Sequence, residues 1–250
     1  MLLQVLGASG SWPAPGQPTS GYLVTESGFA LWLDLGTGTF AKLQEVMSPL
    51  HVGALVVTHG HPDHFVDLYA VFYARFFHPD PLPSLPLFCP PGLFDAVTCH
   101  APPGRAQEMR AVFDVHEVTA GQTVEVGPFR VSAYGMRHDP PTLGLRVGAG
   151  GRTLAYTADT GPTEDITALA EGADVLLCEA TWLEGQGRAP NQLSAREAGE
   201  FGRRAGARSL AITHLWPRFD PEEARREAED SYGHDVVVAR SGLAIDVGDP

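Results

Sequence analysis

Four side chains able to bind a metal ion fall within six residues of this 250-residue chain: His59, His61, Asp63 and His64, in Thr58-His59-Gly60-His61-Pro62-Asp63-His64. His59 and His61, two apart in a loop, can aim at one ion. Asp63 and His64, on the first turn of a predicted helix, point elsewhere and can hold a second. Imidazole and carboxylate donors suit zinc best, with manganese and iron open, since no thiolate narrows the choice. Packing alone gives no reason to gather so many ligand groups after an apolar run.

His138, Asp159 and His214 each lie at or shortly after a predicted strand end, where ligand sites of α/β proteins collect. Four strand ends could thus deliver seven candidate ligands to one edge of the molecule. A carboxylate such as Asp159 can span two metal ions, and a two-metal centre activates water and clamps phosphoryl or acyl oxygens. His51, His78, His100, His116 and His234 read as surface histidines.

The elements that must position these groups follow from hydrophobic patterning. Leu2–Leu6, Gly21–Thr25 and Ala30–Leu33 read as strands and Phe40–Met47 as a helix, stopped near Pro49. Ala54–Thr58 is a fully apolar strand of the kind buried on both faces. Pro62–Phe77 reads as one helix, with proline in the first turn where its missing N–H costs nothing. Residues 78–104, rich in proline, read as a loop or lid. Arg130–Tyr134 leads towards His138; Leu143–Val147 and Thr153–Ala158 read as paired strands, the second ending at Asp159; Val175–Cys178 ends at Glu179. Ser194-Ala195-Arg196-Glu197 is a capping box that starts a helix ending near Gly206. Ser209–Thr213 runs into His214, and Pro221–Asp230 is a charged helix. The predicted fold class is α/β: one αββα sandwich, two mixed sheets flanked by helices, in a single domain over residues 1–250.

Composition bounds the partners. Hydrophobic residues make up 44% of the chain, as in a globular protein. The net charge of −13 disfavours a long polyanion, so nucleic acid is not the expected partner and a small-molecule substrate is. Met1–Gly7 lacks the features of a signal peptide, and no apolar run is long enough for a bilayer. Cys89, Cys99 and Cys178 form no CxxC pair and read as free buried thiols in a reducing cytoplasm.

The motifs resemble those of the metallo-β-lactamase superfamily over essentially the whole chain. Leu33-Asp34-Leu35-Gly36 is similar to its first motif and Thr58–His64 to its HxHxDH signature. His138, Asp159 in Tyr156-Thr157-Ala158-Asp159-Thr160, and His214 are similar to the third to fifth. The resemblance implies that His59, His61 and His138 hold one metal, that Asp63, His64 and His214 hold the other, and that Asp159 bridges, with a hydroxide shared between the ions as nucleophile. Asp at the bridging position resembles the phosphodiesterase, ribonuclease Z, glyoxalase II and lactonase branches. Cys178–Trp182, Leu193–Gly199 and the opening Leu6–Ser11 with Pro18–Leu23 resemble the first two, including compact bacterial hydrolases among which are cyclic-nucleotide phosphodiesterases.

Two departures bear on substrate. Ribonuclease Z carries a long tRNA-gripping arm between its third and fourth motifs, whereas His138 and Asp159 are separated by a predicted β-hairpin. The branch also carries a His just before its Leu-Ser/Thr pair, where this chain has Gln192, an amide that can donate to a phosphoryl oxygen but cannot shuttle a proton. The expected function is therefore hydrolysis of a small phosphodiester such as a cyclic nucleotide, with Asp63, Asp159 and Gln192 as catalytic residues and two divalent ions as cofactors. The alternatives are a lactonase or thioesterase and, behind it, tRNA 3′ processing. Asp34 and Glu179 are expected to fix ligand imidazoles by accepting their free N–H. The aromatic helix 65–77 offers a homodimer interface.

Overall fold

A computed structural model describes residues 1–99, 101, 104–186 and 190–248; His100 lies outside the described residues. In chain order the first half contains β1 (Leu2–Gly7), β2 (Gly21–Glu26), β3 (Phe29–Leu33), α1 (Thr39–Val46), β4 (Ala54–Val56), α2 (Pro62–Phe65), α3 (Leu68–Phe76), β5 (Leu85–Cys89), α4 (Leu93–Cys99), α5 (Arg105–Val112) and β6 (Phe113–Glu117). The second half contains β7 (Thr123–Val126), β8 (Phe129–Met136), β9 (Thr142–Ala149), β10 (Arg152–Tyr156), α6 (Glu164–Ala170), β11 (Val175–Glu179), α7 (Ala195–Ala205), β12 (Ser209–Thr213), α8 (Pro221–Tyr232), β13 (Val236–Val238) and β14 (Ala244–Asp246).

β1 to β6 of the first half, joined by β14 from the C-terminal end, form one seven-stranded sheet in the order β14-β1-β2-β3-β4-β5-β6, and β7 to β13 form the other in the order β13-β12-β11-β10-β9-β8-β7. Both sheets are mixed. β14, β1, β2 and β3 pair antiparallel and β3 to β6 parallel. In the second sheet β7 to β10 pair antiparallel and β10 to β13 parallel.

The strand period of two sorts each strand's side chains between two layers. Leu31 and Leu33 of β3 face the core between the sheets, with Leu145, Leu154 and Leu177. Ala30 and Trp32 of the same strand face outward, under Leu43 of α1 and Phe72 of α3. The outer face of the second sheet is covered by Ile166 of α6, Phe201 of α7 and Tyr232 of α8. Three apolar layers between four layers of structure make this the αββα sandwich read from the sequence.

Four details differ from that reading. β4 stops at Val56, two residues early, because Thr58 turns its N–H to the Asp34 carboxylate. The helix expected over Pro62–Phe77 is broken at Val66-Asp67: the Asp67 N–H is taken by the Leu35 carbonyl at 2.8 Å. Residues 78–104 are not merely loop: Leu85, Leu87, Phe88 and Cys89 are buried in β5, an interior strand, and α4 follows. Cys99 is exposed, while Cys89 and Cys178 are buried; all three are free. His51, His116 and His234 are exposed and His78 half-buried. Among the described residues, no helix is long and apolar enough to cross a membrane.

Candidate functional site

Five strands end at one edge of the sandwich and hand their next residues to a common cleft. β3 leads to Asp34, β4 to the 58–64 loop, β10 to Asp159, β11 ends at Glu179, and β12 leads to His214. All five have parallel neighbours, so the cleft lies at the carboxyl ends of parallel strands, as in other α/β folds. His138 arrives from the end of β8. Three sharp turns aim these groups. Asp34 (φ 53°), Ala158 (φ 53°) and His214 (φ 59°) adopt the left-handed region, which is sparse for residues other than glycine and clusters at functional sites. Gly36 is required by crowding: a Cβ there would lie 2.0 Å from the Asp63 carbonyl oxygen.

The seven candidate ligands form two groups, His59/His61/His138/Asp159 and Asp63/His64/His214, each with its donor atoms within 4.8 Å of one another. In the first, His61 Nδ1 stands 3.1 Å from both His59 Nε2 and His138 Nε2. In the second, His214 Nε2 lies 3.4 Å from His64 Nε2 and 3.2 Å from Asp63 Oδ2. Asp159 spans them. Its Oδ2 is 3.9 and 3.8 Å from His59 and His138 Nε2, and its Oδ1 is 3.2 and 3.3 Å from His64 and His214 Nε2.

This donor set fits divalent cations. Ring nitrogens 3.1 Å apart cannot all be donors to one another, and lone pairs on all of them need a cation to face. Among the described residues Asp159 Oδ1 is buried without a well-aligned hydrogen bond, its neighbours being His64 Nε2 at 3.2 Å and His214 Nε2 at 3.3 Å. A buried carboxylate oxygen left in that state is costly unless an ion meets it.

The other side of each imidazole is held by a chain of hydrogen bonds. His64 Nδ1 donates to Asp34 Oδ2 at 2.8 Å. That oxygen also accepts from Tyr156 Oη (2.7 Å) and Thr58 Oγ1 (2.9 Å), and Thr58 Oγ1 in turn accepts from His59 Nδ1 (3.1 Å). His214 Nδ1 donates to Thr181 Oγ1 (2.9 Å), which donates to Glu179 Oε2 (2.7 Å). His138 Nδ1 donates to the Asn191 carbonyl at 2.9 Å. In the neutral rings these partners place the proton on Nδ1, so that Nε2 of His59, His64, His138 and His214 is directed at the cleft and offers its lone pair to a metal. Glu179 therefore does not contact an imidazole; Thr181 stands between, and Glu179 also accepts from the backbone N–H groups of Thr160 and Leu193. Sequence reasoning missed Thr58, Thr181 and Asn191, whose only signal was a place beside a named residue.

Two crosswise bonds tie the sheets beneath the cleft: Tyr156 of the second to Asp34 of the first, and Tyr22 Oη of the first to Thr213 Oγ1 of the second at 2.7 Å. Ser11 N–H donates to Asp63 Oδ2 at 2.9 Å and fixes that carboxylate at the rim. Gln192 is nearly buried, between the two anchors Asn191 and Leu193, and its amide makes no hydrogen bond to the described residues.

Protonation follows the charge pattern of the metal-free cleft. Burial opposes charge on His64 and His214, but Asp159 and its neighbouring carboxylates outweigh it and raise both above the ordinary histidine range. Burial and the adjacent imidazoles lower His59 and His61. Burial acts to raise Asp63 and Asp159, yet the histidines hold both carboxyls below the usual range. Burial, reinforced by Asp159, pushes Glu179 up to about 8. In the metal-free protein, protons on His64 and His214 stand in for part of the missing positive charge.

The family profile described as "Beta-lactamase superfamily domain" matches residues 17–215. An uncharacterised protein of Mycobacterium leprae, ML1173, is 34% identical over 99% of this chain and 89% of its own length. The probable metallo-hydrolase YhfI of Bacillus subtilis is 27% identical over 97% of this chain and 98% of its own. The crystal structure of YhfI superposes with a TM-score of 0.89 at 24% identity, covering 98% of this chain and 99% of that one. Human tRNase Z, short form, superposes with a TM-score of 0.80 at 21% identity over the full length of both chains.

Proposed function

The chain belongs to the beta-lactamase superfamily and is a metal-dependent hydrolase, and we propose that it hydrolyses a small phosphodiester such as a cyclic nucleotide. The observation that supports this reading is the span of Asp159, one oxygen towards each donor group. His59, His61 and His138 would hold one divalent ion, Asp63, His64 and His214 the other, with Asp159 shared and zinc the best match to the donors. Two such ions, when bound, lower the pKa of water and stabilise charge on phosphoryl oxygens.

The chain's own groups do the positioning. Asp63, pinned by Ser11 N–H, keeps one carboxylate orientation at the rim, where it can orient a water. The Gln192 amide, which makes no hydrogen bond to the described residues, would donate to a phosphoryl oxygen, and it supplies no proton to a leaving group. Departure of a poor leaving group then depends on solvent, which favours substrates with an activated or strained ester. The residues between His138 and Asp159 form the β9–β10 hairpin within the second sheet and extend no long arm, which favours a small substrate over tRNA.

Gln192 also favours a second reading, hydrolysis of a thioester, whose thiolate leaves without a proton, or of a lactone, whose leaving oxygen stays tethered to the product. The test is turnover of bis(p-nitrophenyl) phosphate against a lactone and thioester panel by protein reloaded with zinc or manganese. Phosphodiester turnover abolished by Asp63→Ala is expected. Ester turnover without phosphodiester turnover would transfer the assignment to the second reading.

A further inference from the structure

An apolar cleft of about 280 Å³ opens directly beside the first donor group. Gly60, between His59 and His61, lines it, and Pro140, two residues after His138, lies beside Gly60: a Cβ on that glycine would meet the proline ring at 3.7 Å. Its walls are Phe65 from α2, Leu93, Ala96 and Val97 from α4, and Pro140 and Pro141. The turn Pro90-Pro91-Gly92 lines it as well.

None of these side chains carries a polar atom. The four prolines have no N–H to offer. The N–H groups of Gly92, Leu93 and Ala96 are already given to Glu117 Oε1 and to the carbonyls of Pro90 and Gly92. A ligand in this cleft meets mostly apolar surface, and what polar surface it meets is backbone, not side chain. Its size is at the lower end of small-molecule sites, which run from about 300 Å³ upward, so it suits one ring system and not a polymer.

We propose that this cleft seats the flat, non-reacting ring of the substrate, an aryl group or nucleobase, and selects it by shape and apolar contact without reading its hydrogen-bonding edge. The proposal rests on the adjoining His/Asp groups being the reacting centre, since Gly60 and Pro140 join cleft and centre. An apolar pocket discriminates weakly between rings that differ only in polar substituents, whereas a site built to pair with them discriminates strongly. Adenine and guanine are therefore accepted nearly alike.

The experiment compares phosphate esters that share one anion. Phenyl phosphate, methyl phosphate, adenosine 5′-monophosphate and guanosine 5′-monophosphate are titrated into the zinc-reloaded protein by calorimetry. Phenyl phosphate is expected to bind at least about tenfold tighter than methyl phosphate, as burial of an aromatic ring predicts. The two nucleotides should agree within about fivefold. Ala96→Trp, at an exposed helix position, fills the cleft and should abolish the phenyl advantage; Phe65→Ala removes a wall and should reduce it. Equal binding of phenyl and methyl phosphate, a phenyl advantage that survives Ala96→Trp, or a large preference for one base would overturn the proposal. A phenyl advantage in a protein that turns over no phosphodiester would keep the cleft and remove only the reaction assigned above.

Discussion

Asp34→Asn exchanges one carboxylate oxygen for an amide nitrogen at a residue with no exposed surface. The carboxylate accepts four hydrogen bonds: Oδ1 from Thr58 N–H, and Oδ2 from Thr58 Oγ1, His64 Nδ1 and Tyr156 Oη. The best arrangement of the amide keeps its oxygen at the three-donor position and turns its NH₂ onto the Thr58 N–H. One buried donor then faces another, and His64 loses a charged acceptor. A buried unsatisfied donor costs about 1–3 kcal/mol, so the metal-free variant should unfold in urea with stability lower by about that amount. Asn tolerates the left-handed backbone of this position, so conformational strain adds little. Asp34→Ala would strand at least three donors, about 3–9 kcal/mol against a total near 5–15 kcal/mol, and is expected not to fold. Loss of a residue that orients a ligand weakens metal binding by about 10–100-fold, measured for Asp34→Asn by zinc competition with a chromophoric chelator. An Asn variant with unchanged urea midpoint and zinc affinity would refute the view that Asp34 organises the cleft.

His138→Ala removes one donor from the first group and is expected to lower the metal content from about two ions per chain to about one, read by elemental analysis, with most activity lost. The metal-free protein should have a stability maximum near pH 6.5. Above that pH the raised His64 and His214 lose their protons, and Glu179, whose ionisation is shifted from 4.5 up to about 8, adds to the loss, so stability falls as pH rises past 6.5. Below it the lowered His59 and His61 resist the protons that the unfolded chain takes up, and these two groups outweigh the opposite slope of the single Glu179, so stability falls again. Urea midpoints from pH 5 to 8.5 test this, and zinc should flatten the alkaline arm while its own affinity rises with pH.

The parts of the fold that were legible before the structure rest on local patterns. The capping box of α7 is one: Ser194 Oγ accepts from Glu197 N–H, the Glu197 carboxylate accepts from Ser194 N–H, and Gly206 ends the helix in the left-handed region. The 58–64 cluster was visible because its ligand groups are adjacent in sequence. β5 was hidden by Pro83, Pro86 and Pro90, which read as loop although Leu85, Leu87 and Phe88 supply a buried strand. The break between α2 and α3 was invisible because its cause, the Leu35 carbonyl, comes from another strand end. Thr58 and Thr181 were missed for the same reason. A hydroxyl linking an imidazole to a carboxylate has no signature until the sheets bring the three together.

The path of the chain has a consequence for how such a site comes into being. Each sheet is drawn from a continuous stretch of sequence, save for β14, which leaves the second half and pairs with β1 through Leu2↔Asp246 and Leu3↔Ile245. That pairing joins residues almost the whole chain apart, the kind of contact that forms slowly because a long loop must close first. We expect the two halves to acquire their strands separately during synthesis and the β1–β14 seam to be among the last to form. His59, His61, Asp63 and His64 come from one half and His138, Asp159 and His214 from the other, so a nascent chain presents two incomplete donor sets. Ions taken up before the halves dock would be held by fewer ligands and exchanged easily; only the closed sandwich confronts the two sets.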